Sequence, residues 1–158
     1  MRSGPGVDVI LNLHQLDLKD ESVGTAILMD TLEHIEYPHL AMQEVYLVLK
    51  PDGVVLISSV MNFPIHDYPY DYWRFTPTAF QSLLKEFKTQ RVEFVGQETF
   101  PHTVVGIGVK GDYLFSDSLV NELQQWKREA NKKTFRQILR LMTPPILINI
   151  YDAINQRQ

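Results

Sequence analysis

The sequence predicts an α/β fold in which parallel strands alternate with helices. Two apolar runs, residues 7–11 and 25–29, have the length and composition of buried strands. A helical segment follows from Pro38 to Leu49, and the run Val54–Val60 is a third predicted strand. Because strand, helix and strand in this order form a right-handed crossover, we expect these strands to lie parallel in one sheet.

The second half of the chain continues with a helix and two further strands. Thr76 and Pro77 have the residue types preferred at a helix N-cap and first helical position. The apolar face of this helix consists of Phe80, Leu83, Leu84 and Phe87. Residues 91–95 and 103–109 have the composition of strands. We therefore expect residues 1–115 to form one domain and 116–158 to be a C-terminal helical extension.

Composition limits the class of protein. The net charge is -4 and the sequence pI is about 5.7, which argues against nucleic acid as the main partner. The chain contains no cysteine, so disulfides and thiolate metal sites are excluded. The first residues lack the apolar stretch of a signal peptide, which makes a cytoplasmic location the default expectation.

Two short motifs and the predicted strands beside them carry a resemblance to a known family. Leu32-Glu33-His34 follows the predicted strand at 25–29, and V-L-K-P-D-G at 48–53 precedes the strand at 54–60. This order resembles the type 11 branch of the class I S-adenosylmethionine-dependent methyltransferases, in which the turn reads V-L-K-P-G-G. Asp52 replaces its first glycine, while the second is retained.

The loop Pro64–Pro77 carries the stronger resemblance. Its sequence, P-I-H-D-Y-P-Y-D-Y-W-R-F-T-P, is similar to the loop after the fifth strand in one subgroup of these enzymes. The matches together span about residues 7–110. The resemblance implies a partial Rossmann-like fold with the strand order 3-2-1-4-5-7-6. We expect a mainly parallel sheet of about five strands, with an antiparallel strand near 103–109.

The family's glycine-rich cofactor turn has no counterpart here. Ser3-Gly4-Pro5-Gly6 precedes the first predicted strand, whereas the family motif follows one. We therefore expect the chain to start at the family's third strand, as an N-terminally truncated member or a gene fragment. Loss of the preceding strands would leave an exposed sheet edge, so we predict a homodimer.

The resemblance implies that Asn12, Leu13, Asp30 and Leu32 contact S-adenosylmethionine. Asn12 stands where the family has an Asp that binds the adenine amino group, and Leu13 would lie beside the ring. An Asn oxygen can accept the same hydrogen bond, but Asn12 is equally suited to a turn. Asp30 and Leu32 would lie beside the methionine moiety of the cofactor.

Two polar clusters are candidates for acceptor binding and proton transfer. Glu33 and His34 follow a strand end, where either could bind substrate or serve as a base, although acidic residues also favour a helix start. In the loop, His66 could relay a proton and Arg74 could clamp an anion, with the alternative that Arg74 pairs with Asp71 as a structural staple. Our catalytic candidates are His34 and His66. The substrate-binding candidates are Glu33, Asp67, Tyr72 and Arg74.

The aromatic residues of the loop and the histidines have simpler interpretations. Trp73 and Phe75 are expected to plug the core. His34, His39 and His66 lie close in sequence, but their spacing matches no metal-binding motif, so no metal site is predicted.

The C-terminal tail combines basic and apolar segments. Residues 127–140 hold six Lys or Arg and one Glu, and the apolar P-P-I-L-I-N-I-Y-D-A-I follows. The tail could contact a membrane surface, but packing on the domain or on a second copy is the commoner arrangement.

The sequence therefore supports two functions. One is methyl transfer from S-adenosylmethionine to a small-molecule or glycan-linked acceptor. The other is a non-catalytic remnant or dimeric assembly module that cannot bind the cofactor alone, a hypothesis that rests on the missing glycine turn.

Overall fold

The computed structural model describes residues 4–132. They form four strands, three α-helices and one short 3-10 turn. In chain order these are β1 (Val23–Leu28), the 3-10 turn (Leu32–His34), α1 (Pro38–Val48), β2 (Leu49–Val60), α2 (Pro77–Leu83), β3 (Thr89–Gln97), β4 (Phe100–Val109) and α3 (Asp117–Ala130).

The four strands form one mixed sheet in the order β1-β2-β4-β3. β1 pairs parallel with β2, and β4 pairs antiparallel with both β2 and β3. Three strands therefore run in one direction and β4 runs against them. This confirms the predicted α/β fold with one antiparallel strand, and the order corresponds to 4-5-7-6 of the methyltransferase sheet.

The sheet has four strands and not about five, because residues 7–11 form no strand in the structure. Their side chains are largely exposed, with Val9 at 67%. A β-branched run becomes a strand only where another strand supplies hydrogen-bond partners, and none lies beside this run within residues 4–132. The prediction of a first strand at Val7–Leu11 is therefore wrong for the described chain.

The predicted Lys50–Gly53 turn is an interruption at the start of β2. Val23 pairs with Leu49 and Thr25 pairs with Val54, so residues 50–53 loop out of the ladder between these pairs. A Cβ at Gly53 would lie 2.9 Å from the Lys50 carbonyl oxygen, which explains why the second glycine of the turn is retained.

The core lies between the sheet and the helices α1 and α2. The side chain of Thr76 caps α2 by accepting a hydrogen bond from the Ala79 amide at 3.1 Å, as the Thr-Pro pair predicted. A Cβ at Gly106 would meet Leu84 at 2.9 Å and one at Gly108 would meet Phe87 at 2.7 Å, so both glycines allow close packing on β4. The buried apolar cluster includes Leu28, Leu32, Met42, Val45, Val55, Ile57, Phe75, Phe80, Leu84 and Phe87.

The predicted helical tail begins with α3, which Ser116 caps through a hydrogen bond from the Leu119 amide. Lys127 of α3 pairs with Glu93 of β3 at 2.7 Å, so α3 is docked against the sheet. The break at Pro144-Pro145 and the apolar tail segment lie outside the described residues, and the division at residue 115 stays a prediction. Within residues 4–132, every helix is too short or too polar to cross a membrane.

Candidate functional site

Two polar segments meet at the carboxyl ends of β1 and β2. Residues 30–34 follow β1, and the loop 61–76 follows β2. The Ser58 hydroxyl at the end of β2 donates to the Asp30 carboxylate at 2.9 Å and thereby ties the two strand ends together. Ligands of open α/β sheets bind at this edge, as the sequence analysis expected.

Glu33 is fully buried at this edge, with an exposure of 0%. Its Oε2 atom accepts a hydrogen bond from the Ser59 hydroxyl at 2.8 Å. Its Oε1 atom is also buried, yet it has no hydrogen-bond partner among the described residues. The Glu33 carbonyl accepts from the Tyr72 amide at 2.8 Å and from the Trp73 amide at 3.3 Å, which fastens the loop over the 3-10 turn.

The two catalytic candidates, His34 and His66, lie against each other. Their ring centroids are 4.8 Å apart in an edge-on arrangement, and both side chains are half-buried. Nδ1 of His34 lies 2.8 Å from the Tyr70 carbonyl oxygen. Nδ1 of His66 lies 3.2 Å from the Asp71 carboxylate and 3.3 Å from the Pro64 carbonyl oxygen. If each Nδ1 carries the proton, both Nε2 atoms are free to accept one or to bind a ligand.

Arg74 holds the loop together. Its guanidinium forms a two-fold contact with Asp71, whose side chain is 2% exposed. The remaining N–H groups donate to the carbonyls of Phe63, Pro64 and Trp73. All five N–H donors of Arg74 are therefore used inside the loop. This is the structural role that the sequence offered as the alternative to binding an anion. Substrate binding by Arg74 stays a prediction, and it would require one of these bonds to be exchanged.

The charge on Asp71 is strongly favoured by this arrangement. The hydrogen bonds from the Arg74 guanidinium hold the pKa of Asp71 well below its usual range, against the effect of burial, and the His66 amide adds a bond at 2.7 Å. The same contact raises the pKa of Arg74. Both side chains of the Asp71–Arg74 pair are therefore ionised at neutral pH.

Of the two loop aromatics predicted to fill the core, only one does so. Phe75 is buried in the core as expected, but Trp73 is 44% exposed and does not plug the core. Its indole N–H instead donates to the carbonyls of Ile35 at 3.0 Å and Glu36 at 3.3 Å, which holds the ring at the surface beside the segment after the 3-10 turn. Tyr72 and Asp67 are exposed on the same loop, so both are accessible to a substrate.

The residues proposed to contact the cofactor are spread over three environments. The Asn12 side chain accepts from the His14 amide at 3.0 Å and so forms a turn, as the alternative interpretation held. Leu13 is half-buried against the core, and Asp30 is exposed. Leu32 is fully buried in the core, so only its backbone could contact a ligand.

Sequence reasoning missed the two serines that end β2. Ser58 binds Asp30 and Ser59 binds Glu33, and both serines are buried. The signal was available, since two adjacent hydroxyls interrupt a strand of Val, Leu and Ile. Buried hydroxyls require partners, and the residues after the neighbouring parallel strand were the nearest candidates.

Comparison with known proteins agrees with this arrangement. Residues 3–57 match the family model described as a methyltransferase domain. A solved Thermotoga maritima protein, titled a SAM-dependent methyltransferase and possible histamine N-methyltransferase, is 20% identical with a TM-score of 0.51. The match covers 62% of this chain and 61% of that protein. Residues 3–57 are thus similar to the methyltransferase-domain family, and the chain has the fold of class I S-adenosylmethionine-dependent methyltransferases.

Two further solved methyltransferases share the fold. Phosphoethanolamine N-methyltransferase 2 of Haemonchus contortus, solved with phosphomonomethylethanolamine and S-adenosylhomocysteine, is 13% identical with a TM-score of 0.52. The match covers 64% of this chain and 36% of that protein. The carbon methyltransferase CurJ is 12% identical with a TM-score of 0.52, over 65% of this chain and 34% of that protein. No curated protein sequence matches the chain significantly.

The described residues fit S-adenosylmethionine only in part. The edge after β1 offers Asp30 and the backbone of the 3-10 turn to a methionine moiety. Gly4 and Gly6 lie in an exposed turn, and no atom is within 4 Å of the position of a Cβ at either. Within residues 4–132, no glycine-rich turn joins a strand to a helix, so that part of the family's cofactor site has no counterpart there.

Proposed function

We propose that this chain holds the methyl acceptor in S-adenosylmethionine-dependent methyl transfer to a small-molecule or glycan-linked acceptor. One observation carries the proposal. The edge-on pair of His34 and His66 lies over the buried Glu33, at the strand ends where this fold class binds ligands. The similarity of residues 3–57 to the methyltransferase-domain family supports the reaction class, and the polar, half-open edge is compatible with a hydroxylated acceptor.

Proton removal from the acceptor is the task we assign to the histidines. Methyl transfer is an in-line displacement for which the cofactor supplies an electrophilic methyl group, so orientation and exclusion of water carry much of the rate. With Nδ1 of His66 directed at Asp71, its Nε2 would accept a proton and the carboxylate would stabilise the resulting imidazolium. His34, held by the Tyr70 carbonyl, could serve in the same way.

The surrounding residues are proposed to bind the two reactants. Asp30, Asn12, Leu13 and the backbone at Leu32 are the candidates for the cofactor. Asp67 and Tyr72 are exposed on the loop and could hydrogen-bond the acceptor, while Phe63 packs on His66 with centroids 5.1 Å apart and limits access of water. The carboxylate of Glu33 is fully buried, so it could bind an acceptor hydroxyl or amine only if the loop held over it moved.

Calorimetry with S-adenosylhomocysteine tests the cofactor half of the proposal on the full chain. Binding in the micromolar range is expected, and Asp30→Asn should weaken it. Asp112→Asn is the control and should not, because Asp112 follows β4 at the opposite edge of the sheet, where β4 pairs with the start of β2. Absence of binding would contradict cofactor use by this chain. It would then favour the non-catalytic assembly module.

Transfer of a labelled methyl group to a panel of hydroxylated small molecules and glycans tests the acceptor half. His34→Gln or His66→Gln should lower the rate by about 10²–10⁴-fold for the residue that is the base. His39→Gln is the matched control, because His39 is exposed on α1. Unchanged rates in both site variants would overturn the assignment of a histidine base.

Homodimer formation is proposed from the free edge of β1. β1 pairs only with β2 within the described chain, and Ile27 on it is 64% exposed. An unpaired apolar edge is a typical surface for strand pairing between copies. Sedimentation velocity should show a dimer that Ile27→Lys weakens, and a wild-type monomer at tens of micromolar would contradict the proposal.

A further inference from the structure

We propose that Glu33, His34 and His66 form a binding site for a divalent first-row transition-metal ion such as Zn²⁺. Each of the three residues offers one ligand atom, and these atoms all lie within 4.8 Å of one another. Two imidazoles and a carboxylate are a ligand set used for zinc and for other ions of this series. Sequence spacing gave no sign of the site, because His66 comes from a different segment than Glu33 and His34.

The geometry needs only a small adjustment. Bonds of about 2.1 Å in a tetrahedral arrangement place ligand atoms about 3.4 Å apart. His34 and His66 are half-buried, so their rings can approach without repacking the core, while the deeply buried Glu33 provides a fixed point. The half-open side of the cluster would leave at least one coordination position for water or another ligand.

The surroundings already orient both imidazoles. Metal-binding histidines usually donate their second ring N–H to a carbonyl or a carboxylate, which fixes the ring and its tautomer. Here Nδ1 of His34 faces the Tyr70 carbonyl and Nδ1 of His66 faces the Asp71 carboxylate. Arg74 in turn holds Asp71, which fixes the group that faces Nδ1 of His66. With the proton on Nδ1 of each ring, Nε2 is the nitrogen left for a metal ion.

An independent observation points to a ligand at this place. Glu33 Oε1 is buried and lacks a hydrogen-bond partner among the described residues, although Oε2 is satisfied by Ser59. A buried carboxylate oxygen without a partner is costly, and such groups are usually paired or coordinate a metal. A cation bound between Glu33 and the two rings would remove that cost. Metal binding at this site does not depend on methyl transfer, and an ion held by both Nε2 atoms would exclude their use as the base proposed above.

The test is a titration of the metal-free full chain with Co²⁺, followed by its visible absorption, and with Zn²⁺, followed by calorimetry. One ion per chain is expected, with absorption typical of nitrogen-coordinated Co²⁺. Glu33→Gln and His66→Gln should each weaken binding by more than about tenfold, and Asp71→Asn by about 10–100-fold through loss of ring orientation. His39→Gln and His102→Gln, at exposed positions on α1 and β4, are the matched controls and should leave affinity unchanged.

Two results would overturn the proposal. One is the absence of stoichiometric binding to the wild-type chain at millimolar Co²⁺ or Zn²⁺. The other is binding that survives His66→Gln in a variant whose circular dichroism is unchanged. His66 lies in a surface loop, so this variant keeps the test valid even if Glu33→Gln unfolds the chain. Failure of metal binding would leave S-adenosylhomocysteine binding unaffected, which separates this proposal from the proposed function.

Discussion

The segment before β1 and the loop after β2 are both irregular, but they are held in place very differently. In residues 4–22, the turn at Asn12 is local, and longer-range bonds include the Leu16 amide to Glu44 at 2.8 Å. In the loop 61–76, the side chains of Arg74 and Trp73 donate hydrogen bonds to backbone carbonyls, and the carboxylate of Asp71 accepts one from a backbone amide. Backbone outside helices and strands is therefore held in place when side chains form the hydrogen bonds that a neighbouring strand would otherwise supply.

This difference bears directly on the location of the site. His66 faces His34 because the loop that carries it is cross-linked to the 3-10 turn through the Glu33 carbonyl. The segment that carries Asn12 and Leu13 is held by fewer described side-chain bonds, among them the Tyr37 amide donating to His14 at 3.2 Å. Substitutions in the two segments should therefore have very unequal effects.

Arg74→Met should have the largest effect. It removes five donors from the loop and leaves the Asp71 carboxylate without its cation, so the loop should loosen and the chain lose stability. We expect the melting temperature to fall by about 5–10 °C, measured by circular dichroism. Lys88→Met, which breaks the exposed pair with Asp112, is the control and should change it little. Equal effects of the two variants would contradict the staple role.

The second-largest effect should be a loss of stability in acid that depends on Asp71. Because the folded-state pKa of Asp71 is lowered by Arg74, the folded chain binds fewer protons than the unfolded chain between the two pKa values. The contribution of Asp71 to the free energy of unfolding is fully present above the ordinary carboxyl pKa of about 4. It is lost as the pH falls through the lower pKa of the folded state. Melting curves between pH 7 and pH 3 should show a smaller acid-induced loss in Asp71→Asn than in the wild type. Parallel curves would refute this contribution.

Trp73→Phe should have a moderate effect. The substitution keeps an aromatic ring but removes the N–H that donates to the carbonyls of Ile35 and Glu36. We expect the free energy of unfolding to fall by about 1 kcal/mol, measured by urea denaturation. Trp126→Phe on α3 is the comparison variant, since the described contacts give its indole N–H no role in the loop. A loss above about 3 kcal/mol would mean that the ring itself packs in the core.

Val9→Ser in the first segment should have the smallest effect. Val9 is exposed and belongs to no strand, so the free energy of unfolding should change by no more than about 0.5 kcal/mol. A loss of about 2 kcal/mol or more in the same urea titration would instead show that another surface covers this run. If that loss depended on protein concentration, it would indicate burial by a second copy.

The sequence alone predicted most elements of the sheet and helices. The Thr76-Pro77 cap, the helix from Pro38 and a strand near 103–109 agree with the structure, because each has a local signal. The antiparallel direction of that strand was implied by the family resemblance and is confirmed. The strand at 7–11 failed, since strand formation depends on a neighbour that composition does not reveal. The exposure of Trp73 was missed for a similar reason, as its hydrogen-bond partners come from the segment after the 3-10 turn.

The residues His34, His66 and Glu33 were identifiable from the sequence through the motifs on either side of β2. Their convergence was decided by the parallel pairing of β1 and β2, which brings two strand ends to one edge, and by the Arg74 network that folds the loop back. The unpartnered Glu33 oxygen could be seen only in three dimensions, because burial and hydrogen bonding depend on residues distant in the chain. Local side-chain chemistry thus determined which groups are available, and long-range backbone pairing determined which of them meet.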